Sequence, residues 1–174
     1  MFFLFFLFLS SCSQKYDYID KVDAVVKKEI KIIQQMEDFQ LCGYGGAMCD
    51  GIKTINITFS SYQKVDIAQA RLMIVQSIEK IRNAVNAQDD LKDYLIPYPF
   101  PTKGIEVSIM FLEGLDYIKF GCVWLGTGGV SLVSQLDGIL FYSSYNPRTK
   151  MLERYFNEPY EEALAIVNNE LKNN

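Results

Sequence analysis

The hydrophobic pattern of this chain changes character at Pro97-Tyr98-Pro99-Phe100-Pro101. Upstream, long stretches repeat apolar residues every three to four positions; downstream, apolar and polar residues alternate. Proline at every second position can continue neither a helix nor a central strand. The segment therefore reads as a rigid crossover between helices and sheet, compatible with a cis proline.

Upstream, Asp17 is placed to cap a helix running to about Phe39, with Ile19, Val22, Val26, Ile30, Ile33 and Met36 on one stripe. A cysteine-bracketed loop is expected to end it. Lys53–Tyr62 alternates as a half-buried strand, with Ile55, Ile57 and Phe59 on one side. Asp66-x-x-Gln69 resembles a capping box, followed by Ile67, Ala70, Ile74, Ile78, Ile81 and Val85 at helical steps. A short helical turn over Asp89–Leu95 leads into the prolines.

Downstream, Ile105, Val107, Ile109 and Phe111 face one way, and Ile118, Phe120, Cys122 and Trp124 form a second alternating set. Gly126-Thr127-Gly128-Gly129 reads as a turn into a strand over Val130–Leu136. Asp137-Gly138 is a strong hairpin signal, because a type I′ turn needs positive φ at both central residues. Strands Ile139–Tyr145 and Met151–Phe156 follow, separated by the turn Asn146–Thr149. Pro159 is placed in the first turn of a last helix, with Ala163, Ile166, Val167 and Leu171 inward. Hairpin-connected strands between helices predict an α+β fold: a mostly antiparallel sheet of five to six strands with about three helices packed on one face.

The chain has no histidine, a formal charge of −4, 49% hydrophobic and 22% charged residues. Those values fit a globular domain. The missing histidine removes His-dependent triads, His-ligated zinc and His-held haem. The acidic balance argues against nucleic acid, whose phosphates demand a basic face. No cofactor or metal site is indicated.

The N-terminus supplies an address. Phe2–Leu9 is an unbroken Phe/Leu run covering only about 12 Å as a helix, against roughly 30 Å of bilayer hydrocarbon. It fits the apolar region of a cleaved export signal. Leu9-Ser10-Ser11-Cys12 resembles the lipobox of bacterial lipoproteins. The resemblance implies cleavage before Cys12, acylation of Cys12, palmitate among its chains, and anchoring in the bacterial cell envelope facing the periplasm. Ser13 after the cysteine implies the outer rather than the inner membrane. No Lys or Arg precedes the run, as a start codon lying upstream would explain. The expected organisation is a signal peptide over 1–11, an anchor linker over 12–17, and a single domain over 18–174.

Export places the remaining cysteines where disulfides persist. Cys42 and Cys49 bracket a glycine-rich stretch and are the expected disulfide pair; two free thiols or half a metal site are the alternatives. Cys122, in an apolar stretch, is expected as a buried thiol.

The remaining motifs are weak. Gly126-x-Gly128-Gly129 lacks a following helix to hold a phosphate. Ser61-x-x-Lys64 matches a Ser/Lys acylation pattern by letters alone. The adjacent pairs Asp89-Asp90 and Glu161-Glu162 suit first helical turns better than a hydrolytic cleft, whose carboxylates converge from about 5–9 Å apart. Glu106 and Glu153 are strand carboxylates worth locating. Tyr94, Tyr98 and Phe100 could form an aromatic rim for a ligand or partner.

The stretch from Arg71 through Tyr94-Leu95 and Tyr98-Pro99-Phe100 to Ile109 is similar to a group of small exported bacterial proteins of uncharacterised function, which implies no site. The expected role is a membrane-anchored, non-catalytic binding module for an envelope protein or peptide. A histidine-free hydrolase using carboxylates or Ser61 and Lys64 is the alternative.

Overall fold

The computed structural model describes residues 17–112 and 129–173. Cys12, the Phe/Leu run, the stretch containing Cys122, and Gly126 to Gly128 lie outside the described residues. Within them the chain is α+β. Its elements are α1 (Asp17–Glu37), β1 (Gln40–Ala47), β2 (Thr54–Ser61), α2 (Ile67–Asn86), β3 (Ile105–Phe111), β4 (Leu132–Leu136), β5 (Ile139–Asn146), β6 (Met151–Pro159) and α3 (Tyr160–Asn173). Short 3-10 turns cover Asp89–Tyr94 and Thr102–Gly104.

The six strands form one sheet in chain order. Only β2 and β3 are parallel, joined by the crossover through α2; every other pair is antiparallel. Registered neighbours point to the same face, so the pairing locates the core. Phe59 stands beside Ile109, Ile109 beside Val133, and Val133 beside Tyr142, all buried. Tyr44 shares that face beside Ile57 and reaches Asp23 of α1, with 2.7 Å between Oη and Oδ1. At the other end of the row, Glu158 beside Leu140 bonds Arg71 of α2. The α1 and α2 contacts therefore lie on one face of the sheet, where alternation in β2 and β3 delivers a continuous apolar surface.

Strand polarity gives the sheet two distinct ends. One collects Ala47, Thr54, Ile105 and the Asp137-Gly138 turn; the other collects Gln40, Ser61, Phe111 and the Asn146–Lys150 turn. The first is the Asp137 end of the sheet and the second the Asn146 end.

The local signals account for much of this. Asp66 caps α2 with both hydrogen bonds of the capping box, Gln69 N–H to Asp66 Oδ1 at 2.9 Å and Asp66 N–H to Gln69 Oε1 at 3.1 Å. Asp137 and Gly138 adopt φ of 49° and 79°, the positive values a type I′ hairpin turn requires. The crossover is clamped to α2 by Asn86, whose side chain accepts from Phe100 N–H at 2.7 Å and donates to Phe100 C=O at 3.0 Å. The peptide bonds preceding Pro97 and Pro99 are cis.

Several expectations are corrected. The glycine-rich stretch after α1 is the edge strand β1, not a loop. Gly46 permits that pairing: a Cβ there would stand 2.1 Å from the Thr54 carbonyl oxygen. Asp17 is already the first residue of α1, and Pro159 closes β6 instead of opening α3. Met36, Ile166 and Leu171 are exposed, so the apolar stripes of α1 and α3 extend beyond the sheet that buries their centres.

The same strand overturns the disulfide. Cys42 and Cys49 are free and exposed. From Cys42 to Ala47 an extended strand covers about 16 Å, and Cys49 lies past its end, whereas a disulfide needs Cα atoms within about 7 Å. Cys42 thus sits toward the Asn146 end and Cys49 at the Asp137 end.

Candidate functional site

The proline crossover lies at the Asp137 end and carries the expected aromatic rim, but only part of it faces outward. Tyr94 and Tyr98 are exposed, at 41% and 48%, and Ile96 between them at 45%. Phe100 is 1% exposed and belongs to the core, which corrects its placement on the rim. The cause is the Asn86 clamp: holding both backbone groups of Phe100 against α2 turns its ring inward. Tyr94 stacks on Tyr18 of α1, with ring centroids 4.4 Å apart and planes 12° from parallel. Lys92 Nζ lies 5.8 Å from the centroid of Tyr98.

Ile96 divides two shallow depressions. The larger, of 340 Å³, is walled by Lys53, Pro97, Lys103, Glu106 and Asp137; the smaller, of 270 Å³, by Asp17, Tyr18, Cys49, Asp50, Asp93 and Tyr94. Lys53, Lys103, Glu106 and Asp137 share a concavity, yet none forms an ion pair among the described residues. The smaller depression is acidic, but no group of carboxylates and thiols with metal-binding geometry occurs among the described residues.

The remaining catalytic candidates are dispersed. Ser61 is buried and its Oγ accepts the Gln63 N–H at 3.2 Å, while Lys64 is exposed, so the serine is not presented to a substrate. Asp89 pairs with Lys92 at 2.7 Å, and Asp90 with Lys21 at 3.3 Å. The Lys92 ammonium holds the Asp89 carboxyl below the usual range. Glu161 and Glu162 occupy the first turn of α3, where the helix dipole favours them. Glu153 accepts from Asn146 Nδ2 at 2.8 Å and Thr149 Oγ1 at 3.1 Å, bracing a turn. Glu106 and Asp137, in the larger depression, are the pair that a carboxylate mechanism would have to use.

Two groups of charged and phenolic side chains escape the sequence reading. Arg71 Nε bonds Glu158 Oε1 at 2.8 Å, with the two side chains 13% and 7% exposed, and Tyr142 donates to the same oxygen. About two turns further along α2, Tyr160 donates to Glu79 Oε1 at 2.8 Å, and Arg82 pairs with Glu79. Together they fasten β5, β6 and α3 to α2. No spacing rule could show this, since Arg71 and Glu158 stand 87 positions apart.

Both phenols are pushed above the ordinary tyrosine value, first by burial and then by the adjacent carboxylate, Glu158 for Tyr142 and Glu79 for Tyr160. An unfolded tyrosine ionises near pH 10, while these stay protonated in the fold to higher pH. Their contribution is complete below about pH 10 and falls as pH rises further, by about 1.4 kcal/mol per pH unit for each phenol. Urea midpoints should drop steeply above pH 10, and the drop should be shallower for Tyr142→Phe. An unchanged slope in that variant would remove Tyr142 from the linkage.

The exposed apolar residues of β6 also lack any signal beyond strand alternation. Met151, Leu152, Tyr155 and Phe156 are 64%, 39%, 48% and 37% exposed, because β6 is an edge strand and Glu158 is its one buried residue. Comparison of the chain with protein-family models, with curated proteins and with solved structures returns no match.

Proposed function

We propose that this protein is a lipid-anchored component of the bacterial cell envelope, held at the outer membrane through acylated Cys12, whose body is a non-catalytic interaction module. The observation that supports the module best is β6. It offers four large apolar side chains on an edge whose outer backbone groups have no strand partner among the described residues. An extended peptide of an envelope protein would add there as a seventh strand: main-chain hydrogen bonds supply affinity, and the alternating side chains supply selectivity. Glu153, Arg154 and the bulge at Tyr142/Ser143 guard against indiscriminate edge pairing. The acidic net charge favours a protein or peptide over nucleic acid. Glu106 with Asp137 keeps the hydrolase as the second reading.

The test is a photo-crosslinking residue at position 155 in intact envelopes, with position 162 on α3 as control. The reading expects one discrete protein adduct from position 155 that weakens strongly with Phe156→Lys. Equal adducts from both positions would reject β6 as the docking edge. Hydrolase activity abolished by Glu106→Gln would favour the second reading.

A further inference from the structure

We infer that the Tyr94–Ile96–Tyr98 ridge is a membrane-contact surface that seats the Asp137 end on the phospholipid headgroups around the anchor. The inference rests on the lipid attachment of Cys12 proposed above and adds the orientation of the domain. Asp17 begins α1 and lines the same depression as Tyr94 and Ile96, and Tyr18 stacks directly on Tyr94. Cys12 precedes Asp17 by five residues. A fully extended chain of that length reaches at most about 18 Å. The ridge is therefore on the end of the domain that such an anchor holds close to the bilayer.

Its chemistry suits a headgroup layer. Tyrosine rings with an apolar body and a polar tip concentrate at membrane interfaces, and two of them flank an exposed isoleucine here. Lys92 sits over the Tyr98 ring, while Lys53 and Lys103, in the adjoining depression, form no ion pair among the described residues; there long stems can lie along apolar surface and ammonium groups reach phosphates. Glu106 and Asp137 line the same depression as Lys53 and Lys103, and Asp17, Asp50 and Asp93 line the smaller one across Ile96. Carboxylates mixed with ammonium groups match a zwitterionic headgroup, and would be repelled by a strongly anionic surface. With this end seated, the start of β6 at Met151 points away from the bilayer, because β6 runs from the Asn146 end towards the Asp137 end.

The chain carries its own reporters, since Cys49 lies beside the ridge and Cys42 toward the far end, both exposed thiols. The experiment labels full-length lipidated protein with a charged maleimide, in detergent and on phosphatidylcholine vesicles, and follows each cysteine by peptide mass spectrometry. On vesicles Cys49 should label at least ~10-fold more slowly while Cys42 keeps its rate. Tyr98→Asp should restore Cys49 labelling with the protein still floating with the vesicles. Unchanged Cys49 labelling on protein that floats would overturn the seating and leave the anchor standing. Protein that does not float would overturn the anchor and the seating with it. Protection of Cys49 in native envelopes but not on pure lipid would assign the ridge to a protein partner instead.

Discussion

Arg71→Ala should destabilise the fold by about 3–5 kcal/mol, a large share of the stability of an ordinary domain. The substitution removes more than one hydrogen bond. It leaves the Glu158 carboxylate, 7% exposed, without its cation and, among the described residues, accepting only from Tyr142. Burying an unpaired charge is the costly part, because the interior cannot replace the lost hydration. Arg71→Met combined with Glu158→Leu and Tyr142→Phe removes both charges together with the buried hydroxyl that donates to Glu158, and should recover most of the loss, since a well-packed apolar cluster often matches a buried ion pair. Urea unfolding of the two variants separates these effects. A single variant within about 1 kcal/mol of the parent would mean that water reaches Glu158 and that the network does not fasten β6.

Cys12→Ala should abolish stable membrane attachment. No helix among the described residues is long and apolar enough to cross a membrane. The Phe/Leu run covers only about 12 Å as a helix, well short of the bilayer. In the proposed reading attachment depends on acyl chains, each buried CH2 contributing about 0.8 kcal/mol; one chain holds only marginally, and several hold effectively permanently. The parent should resist alkaline carbonate extraction, whereas Cys12→Ala should be released or accumulate with its signal uncleaved. A Cys12→Ala protein that is processed and stays on membranes like the parent would refute the anchor.

What the sequence made legible was local. The capping box at Asp66, the Asp137-Gly138 turn and the alternation of Ile105–Phe111 each fix a few neighbouring backbone angles, and each appears as read. β1 was illegible because Gly43, Gly45 and Gly46 leave no alternation to see; its conformation comes from pairing with β2. The disulfide expectation failed with it, since a loop would have closed the cysteines together and a strand holds them apart. The aromatic rim was half legible. Tyr94 and Tyr98 face outward, but the inward turn of Phe100 depends on Asn86, fourteen positions away. The Arg71–Glu158 pair and the edge of β6 that has no strand partner among the described residues depend on strand order and helix docking, which periodicity does not encode.

The most direct test of a lipid-anchored domain is intact-protein and N-terminal peptide mass spectrometry of the protein purified from bacterial membranes. Anchoring predicts a chain that begins at Cys12 and carries diacylglyceryl and fatty-acyl mass on that residue. A chain that retains the residues before Cys12, or that begins at Cys12 with no added mass, would contradict it.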